Sequence, residues 1–348
     1  MTIITPASAL LAFIFFSLSA QALHSSAGIP SGTTLKTVSP MVISGKKDVV
    51  IRGVRISNPR GSCILINNGS QNILIENSEI GPCAAFGVDI RGSAIVKVQN
   101  SYLHDIKNTA VGTYNVTGLH VYNNRIERYM KGVYSVSSTK TVVRHNAFKD
   151  INSSSSLRHA KAIQFNKVIG TGNRINCNVV ENTPGKTNSH EIFNLYRSQG
   201  TAADPIQIMS NKIKGGGPDK TGTGIIPTDH GSSYVLVKGN ILVDPGAHGL
   251  TISAGHHIEM VDNLIYAKKQ PFTWTGISIR NQLKSQGYVC YGHTVSGNLV
   301  NWTSKGGKPN PYINNGTCGT IAGFNTNTWN ASIGPSIWNL GRSACKTL

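Results

Sequence analysis

One short phrase, apolar-x-x-Asn-x-apolar, recurs along the chain and limits the folds that it can adopt. It occurs at residues 121–126 (VYNNRI) and 143–148 (VRHNAF), and related copies lie at 75–80 (IENSEI) and 98–103 (VQNSYL). Later copies centre on Asn178, Asn211, Asn240, Asn263 and Asn298, and Gly53 holds the position in the first unit. The spacings are 24, 23, 24, 22, 32, 33, 29, 23 and 35 residues. The basic unit therefore has 22 to 24 residues, and longer units contain insertions.

Each unit also contains apolar residues that alternate with polar ones, as in 162–166 (AIQFN) and 276–280 (GISIR). A period of two residues is typical of strands with one buried face. Two or three strands fill such a unit and leave no room for a crossover helix. We therefore predict an all-β, parallel β-helix of about ten coils, stacked about 4.8 Å apart. A β-propeller or a β-sandwich is the alternative fold.

The repeated asparagine has a structural role in this prediction. Asparagine tolerates the left-handed backbone conformation of a sharp corner. Stacked asparagines can also hydrogen-bond along the column and satisfy amides that are buried. We expect coils up to about residue 300, preceded by an N-terminal cap from residue 23, and a C-terminal capping segment over residues 301–348.

The first 22 residues differ from the rest of the chain. The apolar run 9–16 precedes the small-residue pattern Ala20-Gln21-Ala22, so residues 1–22 are interpreted as a signal peptide. A membrane anchor is the alternative, but the run is shorter than the roughly 20 residues that span a bilayer. We expect a secreted or periplasmic protein with no membrane association after cleavage, and a monomer.

Six cysteines agree with an oxidising compartment: Cys63, Cys83, Cys177, Cys290, Cys318 and Cys345. Cys63 with Cys83 and Cys318 with Cys345 are plausible local bridges, although six cysteines allow fifteen pairings. The sequence has no C-x-x-C pair and no dense group of Asp and Glu residues that would suggest a metal site. We expect no cofactor and no metal, with calcium as the open alternative.

The formal net charge is +18, from 33 Lys and Arg against 15 Asp and Glu. An exported protein with this charge is expected to meet an anionic partner. The basic residues are scattered and form no nucleic-acid-binding motif. An acidic polysaccharide is therefore the expected partner, and a role of the charge in solubility or adhesion is the alternative.

Polar and ionisable residues concentrate in the units with insertions, which begin after Asn146. Loops on a rigid scaffold are where functional sites are usually built. Strand alternation places Gln164 and Asn166 on the outside, then Asn194 and Tyr196, then Thr228 in the next coil. In the same way it places Thr251 and Ser253 outside, followed by Ser278 and Arg280. The candidate site residues in this region are Lys161, Gln164, Asn166, His190, Asn194, Tyr196, Arg197, Asp229, His230, His248, Arg280 and Asn281.

Three segments in this region carry a resemblance to known families. Residues 224–230 (GIIPTDH), 247–253 (AHGLTIS) and 276–281 (GISIRN) resemble the central coils of periplasmic mannuronan C-5 epimerases. The chain departs from that pattern, because it has Pro-Thr-Asp-His in place of Asp-Pro-His-Asp and Ala254 in place of an arginine. The family's catalytic histidine would map onto His230.

Other parts of these segments resemble polygalacturonases, in His248-Gly249 and Ile279-Arg280, but the paired catalytic aspartates are missing. More broadly, the chain resembles the pectate lyase-like superfamily. That resemblance implies a right-handed parallel β-helix. The superfamily includes many polysaccharide lyases.

A uronate lyase or epimerase needs a group that neutralises the carboxylate and a base that removes the neighbouring proton. We interpret His230 or His248 as the base and Tyr196 or Lys161 as the acid. Arg280, Arg197 and Asn194 would hold the carboxylate. The further substrate-binding candidates are His190, Asp229, Gln164, Asn166 and Asn281.

The leading hypothesis is β-elimination on an acidic polysaccharide. The alternatives are a C-5 epimerase, a polygalacturonase-like hydrolase and a non-catalytic polysaccharide-binding solenoid. A hydrolase needs two carboxylates roughly 5 to 9.5 Å apart, and the sequence shows no convincing pair.

Overall fold

The computed structural model describes residues 27–152, 160–342 and 345. The predicted signal peptide, residues 1–22, lies outside these residues. Within them, no helix has the length and apolar character that a membrane crossing requires. The described residues form 32 strands, numbered along the chain, and three short 3₁₀ helices at Lys284–Gln286, Phe324–Thr326 and Pro335–Asn339.

The strands form three ladders, because each coil contributes one strand, or part of one, to each ladder. The first ladder contains β1 (Lys36–Val38), β4 (Val54–Asn58), β7 (Glu79–Cys83), β10 (Tyr102–Tyr114), β12 (Arg125–Val136), β14 (Ala147–Ile151), β17 (Val179–Glu181), β20 (Lys212–Lys214), β23 (Ile241–Val243), β26 (Leu264–Ala267), β30 (Leu299–Trp302) and β32 (Thr328–Trp329).

The second ladder contains β2 (Met41–Ser44), β5 (Ile64–Asn67), β8 (Val88–Arg91), the C-terminal parts of β10 and β12, β15 (Lys161–Asn166), β18 (Ser189–Tyr196), β21 (Pro218–Asp229), β24 (His248–Ile252), β27 (Thr275–Ile279) and β31 (Tyr312–Asn314). The third ladder contains β3 (Val50–Arg52), β6 (Gln71–Glu76), β9 (Ala94–Gln99), β11 (Thr117–Tyr122), β13 (Val142–Arg144), β16 (Arg174–Asn176), β19 (Ile206–Met209), β22 (Ser233–Lys238), β25 (Gly255–Val261), β28 (Cys290–Tyr291) and β29 (Thr294–Ser296).

Neighbouring coils pair in parallel, with equivalent apolar residues stacked inside. Ile163 pairs with Phe193, Phe193 with Ile225, Ile225 with Leu250, and Leu250 with Ile277. All five side chains are fully buried. Burial of apolar surface between stacked coils therefore builds one continuous core along the axis. The predicted all-β parallel β-helix is confirmed.

The asparagine repeat consists of two adjacent columns. Asn77, Asn100 and Asn123 have φ angles of 50°, 47° and 52°, so they occupy the left-handed corner. The next residue in each coil lies in a buried hydrogen-bonded ladder. It begins with Ser78 and Ser101 and continues through Asn124, Asn146, Asn178, Asn211, Asn240, Asn263, Asn298 and Asn327.

The predicted register of the repeat was therefore wrong by one residue in the first copies, which aligned Asn77 and Asn100 with Asn124. The prediction also assigned both roles to one asparagine, namely the left-handed corner conformation and the buried hydrogen bonds between coils. From the coil of Asn77 to that of Asn298 these roles fall on successive residues. In the coil of Asn146, for example, His145 takes the left-handed φ of 56° and Asn146 takes the ladder position.

The disulfide prediction is half confirmed. Cys63 bonds to Cys83 as expected. The pairing of Cys318 with Cys345 was wrong, because Cys318 bonds to Cys290 and Cys345 bonds to Cys177.

The C-terminal residues explain the pairing of Cys345. Nη1 of Arg342 donates to the carbonyl oxygens of Asn178 at 3.1 Å and Ser210 at 3.0 Å. Ile337 packs against Ile241 and Val243 on the outside of the first ladder. The tail thus returns along the middle coils. Stacking also continues beyond residue 300, since β31 pairs with β27 and β32 with β30.

Candidate functional site

The outer face of the second ladder brings polar and aromatic side chains from successive coils together. Tyr134 pairs with Gln164, and Gln164 pairs with Asn194. Two residues further along these strands, Asn166 pairs with Tyr196 and Tyr196 with Asp229. Because neighbouring coils lie about 4.8 Å apart, side chains from three coils can meet one sugar-sized ligand.

His230 and Asp229 form the centre of this face. Nδ1 of His230 lies 2.8 Å from Oδ1 of Asp229, and the two side chains are 28% and 24% exposed. An ionised carboxylate can only accept a hydrogen bond, so in the neutral imidazole this contact favours the tautomer with the hydrogen on Nδ1 and the lone pair on Nε2. The ring of Tyr196 lies 4.5 Å from the imidazole, measured between ring centroids.

A chain of hydrogen bonds fixes the carboxylate of Asp229. Nε2 of Gln164 donates to Oδ1 of Asn194 at 2.9 Å, and Nδ2 of Asn194 donates to Oδ2 of Asp229 at 3.0 Å. Asn194 is fully buried and Gln164 is 9% exposed. Both amides therefore orient Asp229 rather than face a ligand.

A loop after β27 covers one side of His230. The ring of Tyr288 lies 5.7 Å from that of His230 in an edge-on arrangement, and its hydroxyl accepts a hydrogen bond from Nη2 of Arg197 at 2.8 Å. Asn281 anchors the loop, because its Nδ2 donates to the carbonyl oxygen of Tyr288 at 2.7 Å. The guanidinium of Arg197 also lies 5.3 Å from the centroid of the Tyr196 ring. Arg197 and Asn281 thus lie at the His230 cluster.

Lys161 and His190 lie in a second cluster around Glu191. Nζ of Lys161 is 2.5 Å from Oε2 of Glu191, and Nδ1 of His190 is 2.6 Å from Oε1. Nε2 of His190 lies 3.0 Å from the hydroxyl of Thr221. Burial alone would raise the pKa of the Glu191 carboxyl, but the hydrogen bond from His190 and the charge of Lys161 hold that pKa below its usual range.

The two clusters are separated along the strands. Glu191 and Tyr196 belong to the same strand, five residues apart, and Tyr196 pairs with Asp229. At about 3.3 Å per residue, Glu191 and Asp229 lie roughly 16 Å apart. Lys161 is likewise five residues from Asn166, so it belongs with Glu191 and not with His230.

His248 is more buried than its predicted role as a catalytic base would require. It is 7% exposed, pairs with Thr223 and Thr275, and has Nδ1 3.4 Å from the carbonyl oxygen of Gly222. Burial and the charge of Arg280 outweigh that contact and lower the pKa of His248 to about 4. His248 is therefore a neutral, largely enclosed imidazole at neutral pH.

Arg280 follows β27 and is partly exposed. Its Nε atom is buried and has no hydrogen-bond partner among the described residues. It lies on the coil after His248, two coils beyond Asp229, which corresponds to about 10 Å along the axis. Arg280 is therefore not part of the His230 cluster itself but lies further along the same stack of coils.

Thr228 was predicted to point outward, and this prediction was wrong. Asn194 pairs with Ile226 and Tyr196 with Asp229, so β21 contains one extra residue between these two pairs. Thr228 is fully buried, and its hydroxyl lies 3.4 Å from that of Ser253. A bulge of this kind changes the direction of the side chains that follow it. Regular alternation therefore did not apply to this strand.

Residues 41–191 match a family described as right handed beta helix region. The parallel three-ladder architecture described above continues this fold over the rest of the chain. The chain has a right-handed parallel β-helix fold.

The chain is similar to the solved structure of DFA-IIIase from Arthrobacter chlorophenolicus A6 in complex with DFA-III, at 11% identity, with 90% of this chain and 80% of that chain covered and a TM-score of 0.43. The catalytic unit of the GH87 α-1,3-glucanase from Streptomyces thermodiastaticus strain HF3-3 is similar at 14% identity, 93% and 72% coverage and a TM-score of 0.43. The Dettilon tailspike protein gives 11% identity, 85% and 62% coverage and a TM-score of 0.40. No curated protein matches this β-helix in sequence.

Sequence reasoning missed three residues on or beside the outer face of the second ladder: Tyr288, Lys131 and Tyr134. Tyr288 lies within the 35-residue spacing between Asn263 and Asn298, and that insertion was the available signal. Lys131 and Tyr134 lie in a unit of ordinary length. The outward direction of Tyr134 follows from the alternation that was applied one coil later, at Gln164.

One group of side chains in the described part of the β-helix has the spacing of a metal site, namely Cys290, His293 and Cys318. Thiolates bind metals, whereas Cys290 and Cys318 are joined in a disulfide. The three residues therefore do not fit a metal ion while the bridge is intact.

Proposed function

We propose that this β-helix cleaves an acidic, uronate-containing polysaccharide by β-elimination, with His230 as the base. The observation that carries the proposal is the His230–Asp229 pair on a solvent-accessible face, with Nδ1 of His230 held 2.8 Å from the carboxylate. This contact leaves Nε2 free to accept a proton from a bound sugar.

The proposed reaction uses His230 and Tyr196 on the same substrate. Nε2 of His230 removes the proton on the carbon next to the uronate carboxylate, and the electron pair is delocalised into that carboxylate. The pair then forms a carbon–carbon double bond while the bond to the glycosidic oxygen breaks. The hydroxyl of Tyr196 protonates the leaving oxygen. Tyr196 is favoured over Lys161 as the acid because its ring lies 4.5 Å from that of His230.

Cationic side chains would stabilise the charge that develops on the uronate carboxylate. Arg197 lies over the ring of Tyr196 and donates to the hydroxyl of Tyr288, the two residues that flank His230. Arg280 has a buried Nε donor without a partner among the described residues, two coils further along. Asn194 is better interpreted as a positioning residue, since its side chain already donates to Asp229 and accepts from Gln164.

The carboxylate geometry favours elimination over a hydrolase that would use Asp229 with Glu191. These two residues lie roughly 16 Å apart along the face, beyond the roughly 5 to 9.5 Å that glycosidases use. Glu191 is also enclosed by Lys161 and His190.

The test is incubation of the purified chain with a panel of polyuronates while near-UV absorbance reports new double bonds. We expect absorbance to rise on at least one uronate polymer. His230→Gln should lower the rate about 10²- to 10⁴-fold, as expected for loss of a general base. His256→Gln, on the third ladder, is the matched control and should retain the wild-type rate.

Three results would contradict elimination in different ways. Altered uronate stereochemistry by NMR without chain cleavage would assign an epimerase. New reducing ends without a double bond would assign a hydrolase. Polymer binding without turnover would assign a non-catalytic solenoid.

The proposal also places the protein outside the cytosol, as a secreted or periplasmic enzyme. Three disulfides support an oxidising compartment. The net charge of +18 supports an acidic polysaccharide as the substrate.

A further inference from the structure

Lys131 is a partly buried cation on the outer face of the second ladder, outside the His230 cluster. Its Nζ lies 3.8 Å from the centroid of the Tyr134 ring. Lys131 pairs with Lys161 in the next coil. Burial, together with the charge of Lys161, lowers the pKa of Lys131 to about 8.

No carboxylate among the described residues neutralises Lys131. Glu191, the acidic group of the neighbouring cluster, is 2.5 Å from Nζ of Lys161 and 2.6 Å from Nδ1 of His190. The described partner of the Lys131 ammonium is the Tyr134 ring. The face therefore carries positive charge at this point that is already partly desolvated, which reduces the further cost of binding an anion.

Aromatic rings continue from Lys131 across the adjacent coils. The rings of Tyr134 and Tyr114 are 6.1 Å apart in an edge-on arrangement, and those of Tyr114 and Phe86 are 6.5 Å apart. The hydroxyl of Tyr134 accepts a hydrogen bond from Nδ2 of Asn166 at 3.0 Å. Asn166 is in turn paired with Tyr196, so polar and aromatic side chains connect Lys131 with the His230 cluster.

We propose that Lys131 and Tyr134 form a second binding subsite, in which the ammonium holds the carboxylate of a uronate and the Tyr134 ring lies against the sugar. The coil of Lys131 is three coils from that of His230, since β12 pairs with β15, β15 with β18, and β18 with β21. Three coils correspond to about 14 Å along the axis. Lys131 also lies five residues before Val136, which shares its position along the strands with Asn166, Tyr196 and Asp229, so the two sites are also separated by roughly 16 Å along the strands. The polymer therefore crosses the face obliquely, and several sugar units separate the residue at Lys131 from the one at His230.

This inference rests on the proposed function for the choice of a uronate, but its test measures binding and not turnover. Calorimetric titration uses a His230→Gln background and purified oligouronates of increasing length. Lys131→Met in that background removes the ammonium and preserves most of the side-chain volume. Lys131→Arg preserves the charge. Lys149→Met, an exposed lysine of β14, is the matched control.

We expect Lys131→Met to weaken the binding of long oligouronates about 10-fold. Binding of the shortest oligouronates that reach only the His230 cluster should be unchanged. Lys131→Arg and Lys149→Met should bind like the His230→Gln parent, and a neutral oligosaccharide of equal length should show no effect of Lys131→Met.

Unchanged binding of long oligouronates by Lys131→Met would overturn the subsite, and so would an equal loss for short and long ligands or the absence of any uronate binding. The two proposals can fail separately. A length-dependent loss without double-bond formation by the wild type would support the subsite and reject the lyase. Double-bond formation by the wild type, together with an effect of Lys131→Met that does not depend on oligouronate length, would support the lyase and reject the subsite.

Discussion

Nδ1 of His230 lies 2.8 Å from Oδ1 of Asp229, the residue directly before it in the chain. Consecutive strand residues point to opposite faces, so this contact depends on the end of β21. His230 has a φ angle of 54°, in the left-handed region. This turn brings the imidazole back beside the carboxylate, and Asn194 in the neighbouring coil holds the other carboxylate oxygen.

The first prediction concerns Asp229. Asp229→Asn removes the negative charge that stabilises the imidazolium formed when His230 takes a proton. We expect kcat on the active polyuronate to fall roughly 10²- to 10⁴-fold, with a small change in KM and in Tm. Steady-state kinetics and thermal unfolding measure these quantities. A fall in Tm large enough to account for lost activity would assign Asp229 a structural role instead.

The second prediction concerns the asparagine ladder. Oδ1 of Asn178 accepts hydrogen bonds from N and Nδ2 of Asn146, and its Nδ2 donates to Oδ1 of Asn211 and to the carbonyl oxygen of Val143. Asn178→Ala leaves several buried groups unpaired, at about 1 to 3 kcal/mol each. We expect the free energy of unfolding to fall by roughly 2 to 4 kcal/mol in denaturant titrations.

Asn339→Ala, at an exposed position, provides the comparison for the ladder variant. It should change the free energy of unfolding by less than about 0.5 kcal/mol. Equal effects of the two substitutions would argue against a buried ladder as a source of stability.

The third prediction concerns the link between the tail and the middle coils. Peptide mapping of the unreduced protein should recover Cys177 bonded to Cys345, and Cys290 bonded to Cys318. Replacing both Cys177 and Cys345 by Ser should lower stability by about 2 to 5 kcal/mol, because the bridge restrains a 168-residue separation in the unfolded chain. A peptide that joins Cys318 to Cys345 would contradict this arrangement.

The fourth prediction concerns the pH dependence of stability at His248. Its pKa is about 4 in the folded protein and about 6.5 when unfolded. Between these values the unfolded chain binds more protons, so stability decreases as the pH falls from about 6.5 to about 4. The contribution of His248 amounts to about 3 kcal/mol at most.

His248→Gln removes this titrating group. The variant should lose less stability than the wild type between pH 6.5 and pH 4, in chemical unfolding monitored by fluorescence. His256→Gln should preserve the wild-type slope more closely, since His256 is less buried. Parallel pH curves for His248→Gln and the wild type would show that His248 is not enclosed in the folded state.

Much of the fold was predictable because it depends on local repetition. The phrase around Asn124 and Asn146 recurs, and the strand periods around Ile163 and Ile277 repeat. These signals required parallel stacking and placed residues 190–280 in four consecutive coils, as the pairings of β18, β21, β24 and β27 confirm.

The candidate site was harder to predict, because its side chains come together through irregular features. The extra residue in β21 buries Thr228 and aligns Asp229 with Tyr196. The loop after β27 brings Tyr288 to His230 across the intervening coil. Neither the bulge nor the loop has a fixed spacing in the sequence. The candidate residues could therefore be named, but they could not be divided into the His230 and Glu191 clusters.

The sequence alone determined the solenoid, because a repeat of 22 to 24 residues with two-residue alternation can bury its apolar side chains only by stacking. It also determined the column that stabilises the corners, although not its register. The tertiary structure decided which polar residues meet: His230 with Asp229 and Tyr196, Lys161 with Glu191, and Cys345 with Cys177. These contacts depend on bulges, loops and a returning tail, whose paths are set by packing between segments far apart in the chain.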